Sequence, residues 1–238
     1  MIINNQQISI GLIAFDADDT LWDCQDHFNE VERQYQQVLS PYASAEEVSS
    51  SLFTTEQGNM PLLGYGSKAF TISLVENAIA LSGGRVTNSE ISRIISLGKS
   101  LLQLPATPLD GVAETLKRLH QEADCPMVVF TKGDNLDQLN KFRRSGLSPW
   151  FDDIIVVADK TPKEYRRLCR FFDTRIERLC MVGNSFKSDI LPVLQLGGYA
   201  VHIPYPLMWA HEEADVIEHP HLVSLTDFRQ LTQLFLQE

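Results

Sequence analysis

Short, almost unbroken apolar runs punctuate the chain: ISIGLIAF (8–15), CPMVVF (125–130), DIIVVA (153–158), LCMVGN (179–184) and YAVHIP (199–204). Runs this continuous suit strands covered on both faces, as in a parallel sheet. Polar stretches with helical spacing lie between them, at Asp110 to Glu122, Asn135 to Ser145, Pro162 to Phe172 and Ser188 to Leu196. Asp110 reads as an N-cap with Glu114 close behind, and Pro162 suits a first helical turn, where a missing N–H is no loss. Strand alternating with helix predicts an α/β fold, an open, Rossmann-like parallel sheet with helices on both faces. The segment LTDFRQLTQLFLQE reads as a closing amphipathic helix.

Between the first apolar run and the second lie roughly 100 residues, far more than a crossover connection uses. Helix-patterned pieces fill this interval at 26–39, 44–53, 68–82 and 89–102, separated by the glycine-bearing stretches QGNMPLLGYG and LSGGRVTN. They predict an inserted all-helical domain over 24–104, with the PATPLDG turn marking re-entry to a core made of 1–23 and 105–238.

Composition narrows the partners. The 238 residues are 44% hydrophobic and 21% charged, the balance of a globular protein. A formal charge of −11 repels an extended phosphate backbone, so nucleic acid is not an expected partner. The densest basic group, Lys163, Arg166, Arg167 and Arg170, has the spacing of a solvated helix face. No window approaches the ~18 apolar residues of a membrane span. Cys24, Cys125, Cys169 and Cys180 are widely spaced with no C-x-x-C, as reduced, partly buried thiols would be. These features predict a cytoplasmic protein with no membrane partner. Oligomeric state leaves no trace in the sequence.

In an open parallel sheet, ligands bind beyond the carboxyl ends of the strands. The residues at those ends are Asp16 and Asp18 after the first run, Thr131 and Lys132 after the second, and Asp159 and Lys160 after the third; Asn184, Ser185 and Asp189 follow the fourth. One edge thus collects carboxylates, a hydroxyl, an amide and an ammonium. Hard oxygen donors suit magnesium, and a Lys is a compact positive charge for phosphate oxygens.

In this order the segments Asp16-Ala17-Asp18-Asp19-Thr20, VVFTKGD with Thr131, ADKTPKEY with Lys160 and Gly183-Asn184-Ser185-Phe186-Lys187-Ser188-Asp189 resemble the four motifs of the haloacid dehalogenase-like hydrolase superfamily. The resemblance covers the whole chain and implies a magnesium-dependent phosphatase of a small phosphorylated metabolite. It implies Asp16 as nucleophile, forming an aspartyl-phosphate, and Asp18 as general acid and then base. Alternation along an extended chain puts these two on one side. Thr131 and Lys160 would hold phosphoryl oxygens, with Lys132 beside them. The metal would take the side chain of Asp16, the backbone oxygen of Asp18 and a group of the fourth motif, which is Asn184 where the family commonly has Asp, or Asp189. With the metal holding Asp16 ionised, like-charge repulsion would favour a protonated Asp18. Dehalogenases of the superfamily lack an acid two residues after the nucleophile, so Asp18 selects phosphatase. The helical insertion corresponds to a cap that closes over the site.

Two further stretches are candidates. Lys68 in LGYGSKAF could reach a second anionic group of the substrate, or be a solvated Lys at a helix start. Trp209 and His211 in PYPLMWAHEE could touch the substrate or pack their own loop. Lys163 competes with Lys160 for the third-motif role from one turn into a helix. His27, His120, His202, His219 and His221 show no metal-ligand spacing. Two other readings of the acidic site are a fold retained for binding without catalysis, to which Asn184 leans, and a phosphorylation-responsive signalling module, against which the chain length and the cap argue.

Overall fold

The computed structural model describes residues 1–3, 6–207, 209–212 and 214–236. Strands β1 (Ile2–Ile3) and β2 (Gln6–Gln7) pair antiparallel. The remaining strands are β3 (Leu12–Phe15), β4 (Met127–Lys132), β5 (Asp153–Val157), β6 (Leu179–Gly183), β7 (Tyr199–His202) and β8 (Leu222–Ser224). They form one parallel sheet in the order β5-β4-β3-β6-β7-β8. The five apolar runs each supply a strand. The edge strand β8 gave no signal, because its three residues are half-buried or exposed.

Side chains alternate across the sheet. Ile13 and Phe15 face a core with Val129, Cys180 and Val182, while Leu12 and Ala14 face another with Val128, Phe130 and Met181. Helices cover both faces. On the first lie α5 (Val112–Glu122), α6 (Asn135–Arg144) and α9 (Leu231–Phe235); on the second lie α7 (Pro162–Phe171) and α8 (Leu191–Gln195). Phe15 pairs in register with Val129 of β4 and Val182 of β6, so the next residues of three strands emerge together at one edge.

The insertion is a helical cap of α1 (Gln25–Leu39), α2 (Ala45–Leu63), α3 (Ser67–Leu81) and α4 (Asn88–Leu101). It has its own core, which includes Tyr35, Leu52, Leu74 and Ile94. Ser44 with Glu47 and Thr87 with Glu90 form capping boxes that start α2 and α4. Gly64, Gly83 and Gly84 take positive φ in the connections. Tyr35 donates from its buried hydroxyl to Asn77 Oδ1 at 2.7 Å, joining α1 to α3.

Three local expectations are corrected. Asp110 does not cap α5: the N-cap is Gly111 at φ +76, and Asp110 points outward, 91% exposed, to pair with Arg229. Helix α2 runs through QGNMPLL rather than ending near 53; Pro61 falls in its last turn, where it removes one ladder bond, and the helix ends two residues later. The fourth core helix begins as a π turn over Phe186–Ile190 before α8. Among the described residues no helix is long and apolar enough to cross a membrane, and the four cysteines are free.

Helices α3 and α4 pack through Gly98, where an added Cβ would sit 2.1 Å from Thr71 Oγ1. Gly98→Ala is therefore expected to destabilise the fold by about 1–3 kcal/mol, read as a lowered thermal midpoint with an unchanged far-ultraviolet spectrum.

Candidate active site

The site is built on a turn that the first motif makes for itself. After β3, Asp16 still donates its N–H to Val182 O at 2.8 Å, which fixes it to the sheet. The chain then turns tightly: Leu21 N donates back to Ala17 O, and Asp19 adopts φ +61. Asp tolerates that left-handed conformation better than most residues. Asp19 Oδ1 accepts from the N–H groups of Cys24 and Gln25, both at 2.9 Å, and so starts α1.

Asp16, Asp18, Thr131, Lys132, Lys160, Asn184 and Asp189 all line one cavity of about 160 Å³ between sheet edge and cap. That is close to the ~150 Å³ that holds one benzene ring, so its ligand is small.

Lys160, following β5, is buried and donates from Nζ to Asp16 and, at 2.6 Å, to Asp189 Oδ1. Burial pulls the Lys160 ammonium down, but Asp16 and Asp189 outweigh it and hold the pKa above its ordinary value. Burial, then the charge of Asp189, push the Asp16 carboxyl up to about 7, with Lys160 opposing. Lys163 lies elsewhere, in a groove with Arg166 and Arg170. Thr161 caps α7 and Pro162 opens it, so Lys160 is the last residue free to turn inward.

The fourth motif reaches the site through its π turn. Asp189 N and Ile190 N both bond to Ser185 O, and the widened turn brings the Asp189 side chain back against the strand tip. Asp189 Oδ2 accepts from Ser185 N at 3.0 Å. A Cβ on Gly183 would lie 2.2 Å from that oxygen, so the position requires glycine. Thr20 Oγ1 lies 3.1 Å from both Asp16 Oδ2 and Asn184 Oδ1, its single proton serving one at a time.

Asp18 sits in a clamp that the sequence did not reveal. Lys141 Nζ lies 2.7 Å from each of its oxygens, Gln138 Nε2 donates to Oδ2 at 2.8 Å, and Trp22 Nε1 donates to Oδ1 at 2.7 Å. Gln138 and Lys141 stand three apart on α6, on one face. Burial raises the Asp18 carboxyl, but Lys141 and these hydrogen bonds outweigh it and hold it below its ordinary value. Of the two acids, Asp18 is thus held down and Asp16 pushed up.

Lys132 is also paired. Its Nζ bonds to Glu212 and, at 2.8 Å, to Ser188 Oγ, and stands 4.2 Å over the Tyr65 ring. Burial raises the Glu212 carboxyl, yet Lys132, Ser185 and Ser188 bring it below the usual range. Glu212 was unread in the sequence, although it follows His211 in the stretch already singled out. Trp209 lines the cavity; His211 lies behind, stacked on Phe53 at 4.1 Å with Nε2 3.6 Å from Glu56. Lys68 is corrected: it clasps Asp134 at 2.9 Å on the seam between cap and core, outside the cavity lining. Beside it Ser67 donates to Asp137 Oδ2 at 3.0 Å, closing the cap on α6.

The donor set fits a hard cation. Asp16 and Asp189 share one ammonium, a local excess of negative charge that burial makes unfavourable, and the oxygens of Asp16 and Asn184 meet at Thr20. Oxygen ligands with room for water are what magnesium takes. Among the described residues no cluster of three or more His, Cys, Asp or Glu forms a metal site without the amide.

The sequence profile of the haloacid dehalogenase-like hydrolases matches residues 10–197. A haloacid dehalogenase-like family hydrolase from Xanthomonas campestris is 33% identical, with 98% of this chain and 95% of that one covered and a TM-score of 0.85. YfnB of Bacillus subtilis, a HAD-hydrolase by assignment and bound to magnesium, is 18% identical over 97% and 100% of the two chains, with a TM-score of 0.66. The 2-haloacid dehalogenase of Pseudomonas syringae pv. Tomato DC3000 is 19% identical over 94% and 97%, also at 0.66. No curated protein matches the chain.

Lys141→Met leaves Asp18, half-buried, beside two neutral donors without its counter-charge. It is expected to cost about 1–3 kcal/mol of stability, measured by denaturant unfolding. Glu56, on the cap wall, has its carboxyl raised to about 7, first by burial and then by Glu32. Between its ordinary value of 4.5 and about 7 the folded chain holds a proton that the unfolded chain has released, so its ionisation destabilises the fold as pH rises. Glu56→Gln should raise the thermal midpoint above that of the wild type at pH above about 7, a gain that disappears below about pH 4.5.

Proposed function

The chain belongs to the haloacid dehalogenase-like hydrolase family, and we propose that it is a magnesium-dependent phosphatase acting on a small phosphomonoester through an aspartyl-phosphate. The observation that carries this reading is Asp18, a carboxylate in the same cavity as Asp16 and two residues on, held in place by Lys141, Gln138 and Trp22. A leaving alkoxide needs a proton and a leaving halide does not, so an acid fixed here has a use in the first step of phosphomonoester cleavage that it lacks in halide displacement.

In this reading Asp16 attacks phosphorus while Lys160 and Thr131 hold the phosphoryl oxygens. The bond to the alcohol oxygen breaks, and that oxygen takes a proton from Asp18. The negative charge of the phosphoryl group raises the Asp18 carboxyl, which takes up its proton from solvent or from the monoanionic ester before donating it, and the proton it later gains from water leaves with the product phosphate. Asp18 then removes a proton from the water that attacks the aspartyl-phosphate, releasing phosphate and restoring Asp16. Magnesium would be held by Asp16, the Asp18 backbone oxygen and Asn184, and it offsets charge on the phosphoryl oxygens. Asn184 is preferred to Asp189 as the direct ligand because both Asp189 oxygens are engaged, by Lys160 and Ser185 N.

A neighbour of 19% identity carries a dehalogenase name, which makes halide release the rival outcome. Phosphate release from a panel of small phosphomonoesters with magnesium, and chloride release from chloropropionate, separate the two. Phosphate without chloride is expected, with Asp16→Asn lowering the rate by about 10³-fold or more. Chloride release alone, or unaltered phosphate release by Asp16→Asn, would sink the reading.

A further inference from the structure

The two ends of the cavity carry opposite chemistry. Lys132, Lys141 and Lys160 are the cations lining it among the described residues, and all three come from the core. Each is held by a carboxylate of the core: Lys132, against the Tyr65 ring, by Glu212, Lys141 by Asp18, and Lys160 by Asp16 and Asp189. The facing wall comes from the cap and includes Phe28, Met60 and Phe70 with Glu56, Asn59 and Ser73. Among the described residues that wall contributes no Lys, Arg or His, and Glu56 is its one charged group.

The polar groups of the wall are oriented as acceptors. Asn59 Nδ2 is used by Ser73 Oγ at 3.1 Å and Glu76 Oε2 at 2.8 Å, and Ser73 donates to Ala69 O at 3.1 Å. The carboxylate of Glu56 and the amide oxygen of Asn59 are left for a ligand. Lys68, in the first turn of α3, is turned away to Asp134. His211 stands behind Glu56 and outside the lining, and burial holds its imidazole below its ordinary value.

We propose that this wall selects, as the alcohol part of the phosphomonoester, a small non-anionic group that donates hydrogen bonds, such as an amino alcohol, and rejects one that bears a second anion. The inference rests on the phosphatase reading for the chemistry but concerns recognition at the other end of the ligand. Above about pH 7, where the Glu56 carboxyl is ionised, a carboxylate or second phosphate placed there meets that charge and apolar rings with no counter-ion, so binding is compared on the alkaline side of pH 7. An ammonium or hydroxyl meets acceptors, and an ammonium also relieves the repulsion between Glu56 and Glu32.

Matched phosphonates test the wall without requiring turnover. Aminopropyl, hydroxypropyl and carboxyethyl phosphonate present an ammonium, a hydroxyl and a carboxylate on the same short skeleton. Calorimetry on the full chain with magnesium should find the first two binding at least about tenfold more tightly than the third. Glu56→Lys should invert that order, and Glu56→Gln should narrow it. Equal binding of the carboxyethyl and hydroxypropyl compounds, no binding of any of the three, or an unchanged order in Glu56→Lys would overturn the proposal. Hydrolysis of aminoethyl, hydroxyethyl and carboxymethyl phosphate then separates the two ideas. The binding order without phosphate release leaves the selective wall standing and removes the phosphatase reading. Phosphate release fastest from the carboxymethyl ester does the reverse.

Discussion

A single buried ammonium ties together the ends of three strands. Lys160 arrives after β5 and reaches across β4 to Asp16, which follows β3, and to Asp189, carried by the turn after β6. Two carboxylates and one ammonium away from water form an unbalanced set, because neither acid can ionise without leaning on the same proton donor. Much of the local structure accommodates this. Gly183 has no side chain because Asp189 occupies its place, the π turn returns Asp189 to the strand tip, and Thr20 spans Asp16 and Asn184. The residual charge is negative, which favours a cation at the sheet edge.

The neighbouring pairs divide the labour differently. Lys141 and Asp18 are matched one to one and reinforced by Gln138 and Trp22, so that carboxylate is rigid and ionised in the ligand-free chain. Lys132 and Glu212 are matched as well, and join the strand edge to the loop after β7. Within a few residues, one acid is thus raised by burial and the charge of Asp189, with only a shared cation opposing, and another is lowered by a cation of its own. Acids separated in this way are able to act as nucleophile and as proton carrier in one cycle.

Most of the sheet and the principal residues could be read from the chain because each strand of a parallel sheet is apolar along its length and ends where the polar residues begin. Asp16 and Thr131 follow their apolar runs at once, Asn184 ends its run and Lys160 comes one residue later, so the register of the strands brings them to one edge. Lys141 and Gln138 lie on a helix whose composition looks solvated, and only the packing of α6 against the first motif shows that one face is buried. Glu212 sits on a loop without periodicity. Asp110 had the chemistry of a cap but lost the position to Gly111, whose positive φ turns the chain into α5 by itself. Lys68 was correctly placed on the cap loop, but its direction depends on Asp134, a residue distant in sequence.

The seam where Lys68 meets Asp134 lies half in solvent, and an ion pair so exposed is worth at most about 1 kcal/mol. It is one of several fastenings across that seam, since Ser67 is bonded to Asp137 and His211 is stacked on Phe53, and it is the one that salt in the medium loosens first.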